Sequence, residues 1–177
     1  GYFSGGNAYD VGKANYAGCS GALGDLPSGP SASDGPGVIL AKYRGIYYNR
    51  SKTTLVSVTD GTSNTIAFVE SLGRSVGSPP GSNGTPDFCW SWIGAICAPT
   101  KFGIAGGGGS SASVPISMSS NHTGIVNTAF GDGSVRPLRI GSSGTRNPTS
   151  VGSDWYVLQA LGGAADGDII APGQLSN

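Results

Sequence analysis

One stretch, residues 121 to 136, constrains the fold more than any other part of the chain. Ile125 to Phe130 is apolar and rich in residues that favour β-strands. Gly131 to Ser134 follows, and its glycines tolerate the positive backbone φ angles of a tight turn. Val135 to Ile140 then resumes an alternating pattern. The stretch is therefore predicted to form a hairpin of two antiparallel strands.

Composition favours short strands and many turns over a helical bundle. Glycine accounts for 32 of the 177 residues, and glycine is costly inside helices. The length fits a single domain, residues 1–177, in which residues 1–37 are largely loop and residues 38–177 form the sheet core. The predicted fold is α+β: mainly antiparallel sheet, with long loops rich in Gly, Ser and Pro and one short C-terminal helix.

Several shorter segments before the hairpin also carry strand signals. Val38 to Tyr48 is the longest β-prone run, and one of its faces is more polar, which is typical of a half-buried antiparallel strand. Thr65 to Glu70 is predicted to be a strand with alternating faces. Thr53 to Val58 fits either a helical turn or a short strand, and Tyr16 marks a further short strand.

A single helix is predicted near the C-terminus. Ser153 and Asp154 are suitable N-cap residues for a helix over Trp155 to Leu161, which Gly162 and Gly163 would end. Three apolar residues fall on one face of that helix and are expected to pack on the sheet: Trp155, Leu158 and Leu161.

The charge distribution argues against two kinds of partner. The formal net charge is zero, and the ten Lys and Arg residues are scattered rather than clustered. Nucleic-acid binding needs clustered basic side chains, and binding to a membrane surface needs a basic amphipathic helix. No run of about 18 apolar residues is present, so the chain as given is expected to contain neither a membrane span nor a signal peptide.

The three cysteines suggest one disulfide. Cys89 and Cys97 have a spacing that suits a disulfide closing a hairpin or loop, and such a bond persists outside the cell. Cys19 is left over, either as a buried thiol or as the former partner of a cysteine upstream of Gly1. No Cys-x-x-Cys pair is present, which argues against zinc.

The tryptophans between those two cysteines allow two interpretations. Trp90 and Trp92 fall on the same face of a predicted strand. Flat rings at this spacing can form a platform that stacks on sugars, but they more often fill a core. Solvent exposure of the two indoles would distinguish the two.

A polar turn precedes the strand Thr65 to Glu70. Asp60 can accept backbone hydrogen bonds, Gly61 supplies positive φ, and Ser63 and Asn64 add local bonds to the backbone. The turn therefore serves either to hold strand register or, together with Glu70, to form a ligand site.

His122, the only histidine, is the one candidate for general-base catalysis. Asp132 could orient its ring, and four serines are candidate nucleophiles: Ser63, Ser110, Ser119 and Ser120. None of them lies in a Gly-x-Ser-x-Gly frame. We therefore predict no catalytic residue and expect the His122 ring to hydrogen-bond the Asp132-Gly133 turn or a neighbouring backbone group.

Calcium is the one cofactor that the sequence leaves open. Calcium takes about six to eight oxygen ligands, and the segment Asp166-Gly167-Asp168 offers carboxylates for such a site. The segment lacks the further oxygens and the closing Glu of an EF-hand loop. A solvated acidic turn is the alternative interpretation.

Two motifs together resemble a known bacterial family. His122, nine intervening residues and Asp132-Gly133 match the H-x9-D-G signature of the prepilin-type "processing-associated" family. Val58 to Glu70 is similar to its "tDGtSNTi…vE" segment, and Trp155 to Leu161 gives a weaker third match. The resemblance covers roughly residues 58 to 170. Members are pseudopilin-like proteins with no established biochemical activity.

The resemblance implies a structural or assembly subunit related to type II secretion or type IV pili. Such a subunit would lie at the bacterial surface or outside the cell, and would associate with itself or with other pilin-like subunits. It would meet the membrane only through an N-terminal helix preceding Gly1. The motif residues would then be structural: Asp60, Gly61, Ser63, Asn64, Glu70, His122, Asp132 and Gly133. The alternative is an extracellular module that binds calcium or carbohydrate.

Overall fold

The computed structural model of the protein describes residues 13–24, 40–48, 50–72, 90–91, 97–105, 117–147, 150–168, 170 and 174–175. The strands are β1 (Lys13–Ala14), β2 (Tyr16–Gly18), β3 (Ile66–Glu70), β4 (Trp90–Ser91), β5 (Ile104–Ala105), β6 (Met118–Ser119), β7 (Ile125–Phe130) and β8 (Val135–Arg139). The helices are the 3₁₀ helices Leu40–Tyr43, Leu55–Ser57 and Thr100–Phe102 and the α-helix α1 (Asp154–Gly162). Within those residues, no helix is both long and apolar enough to cross a membrane.

An antiparallel sheet in the order β2-β3-β7-β8 forms the centre of the fold. The predicted hairpin is confirmed as β7 and β8, and the turn residues between them set a register in which Val126 lies opposite Leu138. Strand β3 is also confirmed. Two smaller pairs, β1 with β4 and β5 with β6, accompany this sheet. With one short C-terminal helix, the structure confirms the predicted α+β class.

Strand β3 does not alternate strictly as predicted. Its register with β7 shifts between Ile66 and Phe68, which marks a bulge. Because of this shift, Ile66 and Ala67 are both buried, whereas Phe68 is exposed and Val69 is buried. The bulge therefore adds apolar contact to the core at the start of the strand and leaves one aromatic ring on the opposite face.

Helix α1, Asp154–Gly162, confirms the predicted helix and is one residue longer at each end. The Ser153 side chain accepts a hydrogen bond from the Tyr156 N–H at 3.3 Å, so it caps the N-terminus. Trp155 and Leu158 are buried, and Leu161 is partly buried against the core. The helix thereby covers one face of the sheet, where Leu158 shares a cluster with Val69.

Polar side chains fix helix α1 to the 3₁₀ helix at Thr100. The buried Gln159 amide accepts from the Thr100 hydroxyl at 2.7 Å and donates to the Thr100 carbonyl at 3.0 Å. The Trp155 indole donates to the Lys101 carbonyl at 2.9 Å. Because each of these buried polar groups has a hydrogen-bond partner, its removal from water is compensated, and the stabilisation from apolar burial is kept.

The prediction of a strand over Val38 to Tyr48 is wrong. Residues 40–43 form a 3₁₀ helix instead, because Leu40 and Tyr43, three residues apart, both bury their side chains beside Trp155. After it, Gly45 donates to the Ser20 carbonyl at 2.9 Å and so crosses close to the backbone of the β2 segment. Tertiary packing has overridden the β propensity of this run.

Within the first 37 residues, the described part, residues 13–24, contains two short strands. Strand β2 confirms the short strand expected near Tyr16, and it lies at one end of the central sheet, antiparallel to β3. The segment Thr53 to Val58 contains the 3₁₀ helix Leu55–Ser57, so the helical turn is the correct alternative.

The predicted disulfide between Cys89 and Cys97 is not seen. Cys97 is a free, half-buried thiol, and Cys89 lies outside the described residues. The neighbouring Ala98 pairs in parallel with Cys19 and donates to the Gly18 carbonyl at 2.8 Å, which holds this segment against the edge of β2. Cys19 is a buried free thiol, as one of the two interpretations had it, and burial raises its pKa to about 12.

Two glycines allow a test of this close backbone packing. Gly21 and Gly124 both have positive φ, 72° and 77°, but a Cβ on Gly21 would overlap the Tyr43 carbonyl, whereas a Cβ on Gly124 would meet nothing within 4 Å. We expect Gly124→Ala to lower the free energy of unfolding by about 1–2 kcal/mol. We expect Gly21→Ala to lower it by at least about 3 kcal/mol, since backbone must move. Urea unfolding of the two variants measures the difference, and equal losses would contradict this account.

Candidate functional site

The two sequence motifs occupy neighbouring strands. Strand β3 ends the first motif, and β7 lies within the second. Because the strands are antiparallel, the start of one motif lies beside the end of the other. The motifs therefore meet at two places, one at each end of β7, which are about 20 Å apart for a strand of this length.

Glu70 is the centre of the first meeting place. Its Oε2 accepts from the Asn127 N–H at 2.8 Å, and its Oε1 accepts from the Asn127 side-chain amide at 3.3 Å and from the Tyr16 hydroxyl at 3.2 Å. Burial acts to raise the pKa of Glu70, but these hydrogen bonds and nearby His122 outweigh it and hold the pKa below its usual value. Glu70 is thus ionised at neutral pH and joins β2, β3 and β7.

His122 lies beside Glu70 and not beside Asp132, so the expectation that its ring bonds the Asp132-Gly133 turn is wrong. The ring Nε2 is 3.5 Å from Glu70 Oε1, and about half of the side chain is exposed. Strand β7 separates His122 from Asp132, which rules out the pair considered for catalysis. Of the candidate serines, Ser120 accepts from the His122 N–H at 2.8 Å, and Ser110 lies outside the described residues.

Asp132 and Gly131 form the second meeting place, at the hairpin turn. The Gly131 N–H donates to the Thr65 carbonyl at 2.9 Å, and the Asp132 N–H donates to the Thr62 carbonyl at 3.1 Å. The Asp132 carboxylate accepts from the Ser134 N–H and hydroxyl, and these bonds lower its pKa. The aspartate of the second motif thus closes its own turn, while the backbone of that turn binds the first motif.

Asp60 joins the first motif to the loop after α1. Its carboxylate accepts from the Asp166 N–H at 2.7 Å and from the Gly167 N–H at 3.1 Å. Within the turn, Gly61 has a φ of 95° and Asn64 donates from its side chain to the Asp60 carbonyl at 3.2 Å. The Asp60 carboxylate thus holds a distant loop, while the turn itself is closed by the Asn64 N–H, which donates to the Gly61 carbonyl at 2.9 Å.

Asp168, one of the two candidate calcium ligands, has its oxygens occupied by other groups. It accepts from Lys42 Nζ at 2.6 Å and from the hydroxyls of Tyr43 and Tyr156, each at 2.8 Å. Burial acts to raise its pKa, but these bonds keep the pKa below its usual value. A lysine thus supplies the positive charge at the position where a cation was considered.

Asp166, the other candidate ligand, has the opposite behaviour. One of its oxygens accepts from the Asp168 N–H at 2.8 Å, while the other is buried without a hydrogen-bond partner. Burial and the charges of Asp60 and Asp168 raise its pKa to about 7. Across the described part of the chain, no three His, Cys, Asp or Glu side chains are grouped so that they could hold a metal ion.

The sheet face turned away from α1, here called the outer face, was not predicted as a site. On this face, one apolar residue from each of the four strands lies in a row that crosses the sheet. In strand order, the row is Gly18, Phe68, Ala129 and Val135, each paired with the next. The Tyr47 ring lies over Gly18 and is 4.8 Å from the Phe68 ring. Alternation along each strand is the sequence signal for this face, but only the register shows that its members are adjacent.

A second, more polar row lies beside the apolar row. It begins at Tyr16, which is opposite Glu70, and continues through Asn127, which is opposite Pro137. The exposed fraction is 58% for Tyr16, 42% for Phe68 and 68% for Val135. The outer face therefore presents aromatic and aliphatic groups to solvent around an ionised Glu70.

The tryptophan platform stays a prediction. Trp90 begins strand β4, and Trp92 lies outside the described residues. The exposure of the indoles, which would separate a sugar platform from a core, is therefore still the property to measure.

Comparison with known proteins gives one family. The family model described as "Protein of unknown function (DUF1559)" matches residues 3–139, which include both motifs and the outer face. The chain belongs to this family. No curated protein and no solved structure matches the chain. In this member of DUF1559, the H-x9-DG signature is a hairpin strand with its turn, and the weaker third segment, helix α1, follows the matched region.

Asp166 predicts an unusual pH dependence of stability. The native carboxyl keeps its proton up to about pH 7, whereas the unfolded one releases it near its usual pKa of 3.8. The unfolded chain thus binds fewer protons between these values, so this group lowers stability as the pH rises from about 4 to about 7. We expect Asp166→Asn to remove that decline and to have a higher Tm than wild type at pH 8.

Asp168→Asn is the matched control for that experiment. It removes an ionised acceptor with three partners, so it should lower the Tm at pH 8. Thermal unfolding of both variants at pH 5 and pH 8 distinguishes the two carboxyls. A lower Tm for Asp166→Asn at pH 8 would contradict the assignment.

Glu70 and His122 should differ in their contribution to stability. Glu70→Gln removes the charge that accepts from three groups, and we expect a loss of about 1–3 kcal/mol at pH 7. Because the folded pKa of Glu70 is lowered from the usual 4.5, this loss should shrink as the pH falls below 4.5. His122→Ala, at an exposed position, should cost less than about 0.5 kcal/mol. Denaturant titrations at pH 7 and pH 3 measure both, and a larger effect of His122 would refute this ranking.

Proposed function

We propose that this chain is a structural subunit, the globular domain of a pseudopilin-like protein of a bacterial surface or filament assembly. It works by association with copies of itself or with other pilin-like subunits, and not by catalysis. The matched family is described only as being of unknown function, so the pilin-like part of the proposal rests on the motif resemblance. In this proposal the domain acts outside the cytoplasm, at the cell surface or in the secreted state.

The use of the motif carboxylates supports a structural role. Asp60, Glu70 and Asp132 each accept hydrogen bonds from backbone N–H groups. Each bond fixes a turn or joins two segments, so the polar groups of both motifs stabilise the fold.

The observation that carries the proposal is the apolar row of the outer face. Phe68 and Val135 are exposed on ordered strands, with Tyr47 beside them and Ala129 between them. Contiguous exposed apolar groups on a folded domain mark an interaction surface more often than scattered ones do. Aromatic and aliphatic groups exposed side by side on a sheet suit the apolar surface of a protein partner.

Association in solution tests the proposal. We expect the wild-type domain to self-associate at high micromolar concentration, as measured by sedimentation velocity, and Val135→Lys to remain monomeric, because it places a charge in the apolar row. Val151→Lys is the control, since Val151 is 78% exposed but lies in the turn before α1 and not on a strand of the sheet.

Two results would count against the proposal. One is a wild-type domain that stays monomeric at every concentration, alone and with pilin-like subunits from the same organism. The other is equal weakening by Val135→Lys and Val151→Lys, which would point to a general effect of charge and not to the outer face.

A further inference from the structure

The central sheet has two edge strands, β2 and β8. The outward backbone groups of an edge strand can pair with a strand of another chain. At β2, the chain itself covers the edge: the Ala98 N–H donates to the Gly18 carbonyl at 2.8 Å, and the Ser20 N–H donates to the Ala98 carbonyl at 3.1 Å. The Ser20 carbonyl accepts from the Gly45 N–H at 2.9 Å. A strand added at β2 would have to displace these segments, so β8 is the more accessible edge.

The bonds at the two ends of the hairpin show which backbone groups of β8 face that edge. The Phe130 N–H donates to the Ser134 carbonyl, and the Ile140 N–H donates to the Gly124 carbonyl, each at 2.9 Å. Bonding alternates along an antiparallel pair, so the even-numbered residues of β8 point their N–H and C=O groups at β7. The backbone groups of the odd-numbered residues point the other way, to the free edge: Val135, Pro137 and Arg139.

Two of these three positions offer no N–H to an incoming strand. Proline has no backbone N–H, so Pro137 presents only a carbonyl. The Arg139 N–H donates to the Leu175 carbonyl at 2.9 Å, and the Arg139 side chain donates to the Gln174 carbonyl at 2.9 Å. Leu175 is 1% exposed and packs in the core, which holds this C-terminal segment against β8. Of the three outward residues, Val135 is left as the donor.

We infer that Pro137 and the segment at Leu175 close the β8 edge, so that a strand of another chain cannot extend the sheet. An antiparallel strand added here would exchange two hydrogen bonds with each outward residue. Opposite Pro137, a carbonyl of the incoming strand would find no donor, and at Arg139 the incoming strand would have to displace Leu175. Pro137 is exposed, so burial in the core does not account for a proline at this position.

The inference goes beyond the proposed function, because it concerns the edge of the sheet and holds whether or not the outer face binds a partner. Where subunits do associate, closed edges mean that they meet through side chains and not through a shared backbone ladder.

Restoring the missing donor tests the inference. Pro137→Thr returns an N–H to the middle of the edge and adds a β-branched side chain, which favours strands. We expect this variant to self-associate at a concentration at least about tenfold lower than wild type does, as measured by sedimentation velocity. Val135→Thr is the matched control, because it introduces the same residue into the same strand without adding an edge donor, and it should not gain association. Circular dichroism verifies that both variants are folded.

Backbone hydrogen exchange, followed by NMR, separates edge pairing from association through the outer face. In wild type, the Val135 N–H should exchange faster than the N–H of Leu138, which bonds β7, and that of Arg139, which bonds Leu175. In associated Pro137→Thr, exchange at Val135 should slow by about tenfold or more, because the incoming strand accepts from this N–H.

Three results would overturn the inference. A wild-type Val135 N–H that exchanges as slowly as that of Leu138 would mean that the edge is already paired. A folded Pro137→Thr variant that associates no more than wild type would mean that the proline does not close the edge. Association of this variant without slower exchange at Val135 would place the new contact elsewhere. A wild-type chain that never associates, in contrast, counts against the proposed function and leaves this inference standing.

Discussion

The pairing of β3 with β7 is the interaction on which the rest of the structure depends. Strand β2 attaches to the outside of β3, strand β8 to the outside of β7, and helix α1 packs on the face that both strands share. The pair is held by more than its backbone ladder. Glu70 fixes one end through Asn127, and the turn at Gly131 fixes the other end through Thr65. Bonds at both ends specify the register, and in a sheet with one buried face the register decides which side chains reach the core.

Local sequence signals were sufficient to predict the hairpin and helix α1, because a turn glycine and a serine cap each act on residues only a few positions away. They were insufficient for residues 40–43, where burial of Leu40 and Tyr43 beside Trp155 decided the conformation. The partner of His122 was also beyond the sequence, since Glu70 becomes its neighbour only through the pairing of two strands. The outer face was missed for the same reason: Phe68 and Val135 lie on either side of Ala129 in one row of the sheet but are distant along the chain.

The acidic loop after α1 illustrates how neighbouring carboxyls acquire different roles. The charge of Asp168 is stabilised by Lys42 and by hydrogen bonds from two tyrosine hydroxyls. Asp166, in contrast, is buried near the negative charges of Asp60 and Asp168. The first therefore favours the ionised state and the second the protonated state. In the sequence the two look equivalent, and they are distinguished by the burial of Asp166 and by the donors of Asp168, among them Lys42 more than a hundred residues away.

The spacing of the H-x9-DG signature acts as a molecular ruler. Its nine intervening residues are the two residues before strand β7, the six residues of β7, and Gly131. The distance from His122 to Asp132 therefore equals the length over which the two motifs lie side by side. Insertion of a single residue into β7 would turn Val126 and Thr128 out of the core. Insertion of two would restore the faces but shift one end of the strand out of reach of its partner. A fixed residue count between a histidine and an aspartate that never touch is thus a consequence of strand geometry.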